Sequence, residues 1–123
     1  MRDVLLVALG GGAGAATRHL VGLASLRALG PGFPYGTLIV NVLGSLLMGL
    51  VVEWLARRGG IALRPLLATG FLGGFTTFST FSLDAVALWE RGEGALAAGY
   101  VVGSVLLCIG GLVAGLAIGR AVL

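Results

Sequence analysis

Long apolar runs, interrupted by short clusters of glycine, proline and arginine, divide the chain into stretches near Val4 to Leu29, Tyr35 to Leu55, Ile61 to Trp89 and Ala95 to Leu123. A bilayer core about 30 Å thick is crossed by roughly 20 apolar residues of helix, so each stretch is long enough to cross once. The connectors are Gly30-Pro31-Gly32-Phe33-Pro34, Arg57-Arg58-Gly59-Gly60 and Arg91-Gly92-Glu93-Gly94. Joints this short predict that successive helices lie antiparallel as neighbours. The pattern therefore predicts an all-α membrane protein: a single four-helix transmembrane domain over residues 1–123, with Trp54 and Trp89 at span ends where indole prefers the headgroup layer. Arg2, the apolar run from Val4 and Ala13-Gly14-Ala15 imitate a secretory signal peptide, but the run continues past Arg18 at spanning length, which predicts a retained first helix.

The third stretch departs from the helical pattern. Its middle reads Gly70-Phe71-Leu72-Gly73-Gly74-Phe75-Thr76-Thr77, adjacent glycines followed by two β-branched threonines, and this predicts a break in mid-membrane. Backbone groups freed there cost several kcal/mol each unless they meet protein, water or an ion. Two readings fit: a break that lines something, or a mild kink repaired by neighbouring helices. Gly10 and Gly14, Gly99 and Gly103, and Gly111, Gly115 and Gly119 recur at four-residue intervals. They predict grooves where helix backbones approach closely, and no chemistry.

Polar residues inside the spans also fall at helical spacing. Thr37, Asn41 and Ser45 make one stripe, Tyr100, Ser104 and Cys108 a second, and Thr76, Thr80 and Asp84 a third, with Ser79 and Ser82 close by. Apart from Asp84 these are hydroxyl, thiol and amide groups, with no Lys or Arg among them. Neutral donors replace the hydration water of a small anion and still let it leave, whereas a ring of arginines would hold it. The same groups could equally serve as bonds between helices. Phe75, Phe78 and Phe81 recur every three residues, and their ring edges carry the positive part of the aromatic quadrupole, so they either face an anion or simply pack. Arg18 lies about fifteen residues into the first span, either at the far interface or buried near it, and there needs a partner or a cluster of carbonyls. His19 beside it has no second ligand at metal spacing.

Composition narrows the function. Of 123 residues, 58% are hydrophobic and 11% charged, with a mean hydropathy of +1.07; four spans leave no room for a catalytic domain. The eight basic residues are all arginine and the net charge of +3 is scattered, which argues against nucleic acid as a partner. The one cysteine, Cys108, permits no intrachain disulfide. No group of His, Cys and carboxylates supports an enzyme. A proton-coupled multidrug exporter would need a membrane-embedded carboxylate; the first span holds Arg18 and no acid, Glu53 sits at a span end, and Asp84 is the one candidate left. A non-transporting assembly subunit would use the glycine grooves and leave the polar stripes without purpose.

Three motifs together resemble the small bacterial fluoride channels of the Fluc or CrcB family over nearly the whole length. They are Gly10-Gly11-Gly12-Ala13-Gly14-Ala15-Ala16-Thr17-Arg18, Gly36-Thr37-Leu38-Ile39-Val40-Asn41-Val42-Leu43-Gly44, and the long run from Gly70 through Ser82. The resemblance implies an antiparallel, dual-topology dimer in the inner membrane of a bacterium or archaeon, with passive efflux of fluoride. By the same resemblance Asn41 is the pore asparagine, Phe78 and Phe81 present ring edges to the ion, Ser79 and Thr80 hand it along, and Thr37, Tyr100 and Ser104 belong to the polar track, with Arg18 and Asp84 as supporting polar groups. It also implies a structural sodium ion at the dimer centre, held by main-chain carbonyls of Gly73 and Thr76 from each subunit. Asp84 stands where the family usually has glutamate, His19 where a tyrosine often follows the arginine, and Leu72 where a small or sulfur residue is common. Arg2, Arg57, Arg58, Arg64 and Arg120 fall on one side against Arg27 and Arg91 on the other, a bias that favours the N-terminus inside. The second subunit is therefore expected to be another copy or a related chain of opposite bias.

Overall fold

The computed structural model describes residues 1–123 and is helical, with no strand. The first helix is Arg2–Leu29, the second Tyr35–Arg58 and the last Gly94–Val122. The second begins with Thr37, Ile39, Val40 and Val42, β-branched residues that favour helix weakly in water. In a bilayer the backbone must satisfy its own hydrogen bonds, and that requirement overrides side-chain propensity. Each of these helices, and the stretch Ile61–Glu90, is long and apolar enough to cross a membrane. The chain turns between spans at Gly30, Gly59 and Gly92, each with positive φ.

The third stretch is assembled from unlike pieces. A 3-10 turn, Ile61–Leu63, leads to Pro65–Leu72, wound as a π-helix, and then to one α-turn, Gly73–Phe75. Thr76 is extended, with φ −89° and ψ 161°, and an α-helix resumes at Ser79–Glu90. The break expected across residues 70–77 is thus confined to residues 76–78, and Gly70, Gly73 and Gly74 remain helical. These glycines do not bend the chain by unusual φ; two of them let it approach the first helix. A Cβ at Gly10 would land on the Leu66 carbonyl, one at Gly14 on the Phe71 carbonyl, and one at Gly74 on the Gly11 carbonyl.

Such seams choose the neighbours. The first helix packs mainly on the front half of the third stretch, and the second mainly on the fourth helix, where Gly49 and Gly115 meet. Successive helices also touch, as neighbours joined by short connectors should, but less extensively than these two pairs. Lipid is as apolar as leucine, so close backbone packing outweighs chain proximity. Gly99 and Gly103 lie off the seam and meet nothing within the chain. Glu53 ties the second and fourth helices at one end by accepting from Arg57 Nε at 3.1 Å and Arg120 Nε at 2.8 Å.

Only 18 of 123 residues are buried, so most apolar side chains face outward. Two small clusters hold the interior. One joins Val40, Leu72 and Phe75; the other joins Phe81, Leu88, Ala97 and Tyr100. An outer surface carrying Leu106, Ile109 and Val113 suits lipid or another protein surface rather than water.

Candidate functional site

The non-helical residues 76–78 free backbone groups inside the membrane, and their hydrogen bonds can be followed one at a time. In an uninterrupted α-helix the Thr77 N–H would donate to Gly73 and the Thr80 N–H to Thr76. Here Thr77 N–H donates to Asn41 Oδ1 at 2.8 Å, and Thr80 N–H donates to Thr77 Oγ1 at 3.2 Å. The Gly73 and Thr76 carbonyls therefore lose their helical donors. Asn41 Nδ2 donates to the Thr77 carbonyl at 2.9 Å, so one side chain clamps both backbone groups of Thr77. Arg18 Nε donates to the Gly74 carbonyl at 3.1 Å, which supplies the partner that a cation at this depth requires. Thr76 N–H and Thr76 Oγ1 both donate to the Leu72 carbonyl, at 3.1 and 2.9 Å.

Beside this break lies a groove of about 580 Å³, open along one side. Asn41 and Ser45 line it from the second helix, Thr76, Thr77, Phe78 and Phe81 from the third stretch, and Ser104 and Cys108 from the fourth helix. Asn41 and Ser45 of the first stripe, Ser104 and Cys108 of the second and Thr76 of the third thus share one space. Phe78 is 77% exposed and Phe81 only 7%, with ring centroids 5.4 Å apart and planes inclined at 48°. Ser104 is 5% exposed, and its Oγ is the one buried side-chain oxygen or nitrogen without a hydrogen-bond partner. The positive end of the dipole of helix Ser79–Glu90 starts at the same break, and such ends favour anions. No arginine or lysine lines the groove.

Other expected positions lie elsewhere. Thr37 Oγ1 donates to Asp84 Oδ2 at 2.7 Å, and Tyr100 Oη donates to the same oxygen at 3.3 Å. Tyr100, 2% exposed, sits behind Phe81 with ring centroids 5.2 Å apart, and is not part of the groove wall. Thr37 is shared by two smaller crevices. One, about 300 Å³, also holds Ser25, Asp84 and Arg91; the other, about 250 Å³, holds Arg18, His19, Thr77 and Thr80. Ser79 is exposed, and its Oγ lies 3.4 Å from Thr77 Oγ1. Sequence spacing therefore located the groove residues, but it assigned no task to Thr77, whose backbone and side chain organise the break. Its signal was its place as the second of the two adjacent β-branched threonines that close the expected break.

A family model described as "CrcB-like protein, Camphor Resistance (CrcB)" matches residues 5–116. The chain belongs to this family. Among CrcB relatives, a protein of Paracoccus denitrificans named fluoride-specific ion channel FluC is 58% identical, over 94% of this chain and 93% of its own. A protein of the same name from Agrobacterium fabrum is 54% identical, over 98% of each chain. Fluoride-specific ion channel FluC 2 of Nitrobacter hamburgensis is 54% identical, over 96% of this chain and 97% of its own. The CrcB match spans the groove, the break and both crevices, and with four spanning helices the chain is a multi-pass membrane protein.

Proposed function

We propose that this chain is a fluoride-selective channel that lets fluoride leave the cell passively, and that the groove beside the third-helix break is half of its pathway. The observation that carries this is the Ser104 hydroxyl. Leaving a buried hydroxyl unpaired costs about 1–3 kcal/mol, and Ser104 lines a groove whose other polar members are neutral. A small anion that accepts hydrogen bonds is the partner such a lining suits. Neutral donors in series permit departure as well as entry.

In this function Asn41, Phe78, Phe81 and Ser104 contact the ion. Asn41 uses one amide hydrogen on Thr77 and retains the other for fluoride. The electropositive edges of Phe78 and Phe81 supply attraction without a fixed charge. Ser79 and Thr80, at the start of the resumed helix, pass the ion towards the crevice of Arg18. Thr37 and Tyr100 act from behind the wall through Asp84. The chemistry is transport and involves no covalent step.

A second subunit in antiparallel orientation completes the pathway. The open side of the groove and the exposed Phe78 support this, since a lone phenylalanine edge facing lipid would attract nothing. A structural sodium ion fits between the two subunits. The main-chain carbonyls of Gly73 and Thr76 would hold it, two from each chain, and both have lost their helical donors. Hard cations prefer oxygen ligands, and the ion would satisfy carbonyls otherwise stranded in the membrane. The setting is the inner cell membrane of a bacterium or archaeon.

The direct test is efflux from liposomes that contain only this purified chain, read with a fluoride electrode beside a chloride-loaded control. Rapid release of fluoride and not chloride is expected. Equal release of both would overturn selectivity. Absence of release, restored by co-expression with a relative of opposite arginine bias, would identify a mixed dimer, and absence in both cases would end the proposal.

Two substitutions probe the lining. Ser104→Ala is expected to slow efflux roughly three-fold while leaving thermal stability equal or slightly raised, because it removes an unpaired buried group along with a donor to the ion. A fall in stability with unchanged efflux would return Ser104 to a packing role. Phe78→Ile retains bulk and loses the ring edge, and efflux about ten-fold slower is expected from an intact dimer. Wild-type flux in that variant would make Phe78 a packing residue.

A further inference from the structure

We infer that Phe33, in the connector between the first and second helices, is a positioning residue for conduction that acts through Tyr100 on Phe81 and Asp84. The inference rests on the channel function above. It begins with a continuous series of ring contacts that links the connector to the break. Phe33 meets Tyr100 edge to face, with centroids 5.4 Å apart and planes at 88°. Tyr100 meets Phe81 at 5.2 Å, and Phe81 meets Phe78 at 5.4 Å. Tyr35 also meets Phe33, with ring centroids 5.0 Å apart.

The connector is built to hold this ring still. Gly30 turns the chain with φ +81°, and Pro31 and Pro34 stiffen the backbone on both sides of Phe33. The Tyr35 N–H donates to the Phe33 carbonyl at 2.8 Å. Arg91 Nη2 reaches from the end of the third stretch and donates to the Gly32 carbonyl at 2.9 Å. Phe33 itself is half-buried against the cluster that contains Phe81 and Tyr100. A mere spacer between helices would need none of these contacts.

Tyr100 is the point at which the contact becomes functional. Its ring contacts both Phe33 and Phe81, and its hydroxyl donates to the Asp84 oxygen that also accepts from Thr37. Removing the ring on one side frees Tyr100 to tilt. A tilt moves both the Phe81 edge that faces the ion and the hydroxyl donation to Asp84. Edge-to-face pairs depend on orientation as well as area, so leucine at position 33 would fill space without directing the ring.

The experiment measures fluoride efflux per assembled channel for the wild type, Phe33→Leu, Phe33→Met, Phe33→Tyr and Arg91→Gln, with dimer content and thermal midpoint recorded for each. Release by the wild type establishes the channel independently; its failure would remove that function and not bear on Phe33 alone. Phe33→Leu and Phe33→Met are expected to slow efflux roughly three- to ten-fold at unchanged dimer content, and Phe33→Tyr, which keeps the ring, to match the wild type. Arg91→Gln removes one of several restraints on the connector and leaves every ring in place, so it is expected to slow efflux less than Phe33→Leu does. Wild-type rates in whichever of the leucine and methionine variants assembles would overturn the inference. So would equal slowing in Phe33→Tyr or in Arg91→Gln, or assembly lost in both aliphatic variants, since each outcome assigns Phe33 to general order of the connector.

Discussion

Asn41→Asp is expected to reduce fluoride efflux roughly a hundred-fold while the chain still folds and inserts. Two effects act together. Asn41 now grips Thr77 twice, accepting from its N–H and donating to its carbonyl. An aspartate keeps the first bond and sets an oxygen against the carbonyl in place of the second, leaving two acceptors face to face. A carboxylate on the groove also repels an anion where little water screens it. Asn41→Ala separates the effects, because it removes the clamp without adding charge. If both variants lose efflux equally, the clamp on Thr77 is the main contribution. If Asn41→Asp alone is impaired, charge at the lining governs. Undiminished efflux in both would remove Asn41 from the pathway.

Gly14→Val should have the largest effect on assembly. A Cβ at this position would fall on the carbonyl oxygen of Phe71 and close to the Phe75 nitrogen, backbone atoms that cannot rotate aside. The first helix would have to move off the third stretch, at a cost on the order of 3 kcal/mol. The same displacement would pull Arg18 from the Gly74 carbonyl, its partner at 3.1 Å. Gly12 and Gly99 meet nothing within the chain, so Gly12→Ala serves as the matched control on the same helix. Thermal unfolding in detergent, followed by size-exclusion chromatography, should find Gly14→Val largely unfolded or aggregated and Gly12→Ala close to wild type. Equal stability of the two would show that the first helix can shift without loss, and would refute the close seam as a source of stability.

The sequence by itself determined the class of protein and the residues from which a pathway can be made. Four apolar stretches, their glycine turns and the stripes Thr37-Asn41-Ser45 and Tyr100-Ser104-Cys108 are periodic along the chain, and periodicity on a helix is a local property that needs no tertiary knowledge. The unusual composition around Gly70–Thr77 likewise announced a break, because propensity is also local. Its exact place was not local. Gly70 and Gly74 stay helical because their lack of a Cβ is used against Gly10 and Gly11, and the extended turn falls instead at Thr76, after which Asn41 takes up the Thr77 backbone.

Only the tertiary structure decided which polar residues share a space. Asn41 and Ser104 reach the groove, whereas Thr37 and Tyr100, one helical turn away on the same stripes, meet at Asp84 behind Phe81. Spacing gives the face of a helix but neither its rotation against a neighbour nor its height. Those follow from seams such as Gly49 on Gly115, which set the second and fourth helices against each other. Phe33 was the least legible of all, lying among glycines and prolines as a plain connector residue. Its contact with Tyr100 joins positions far apart in the chain, and contacts of that kind arise from packing, which no local pattern encodes.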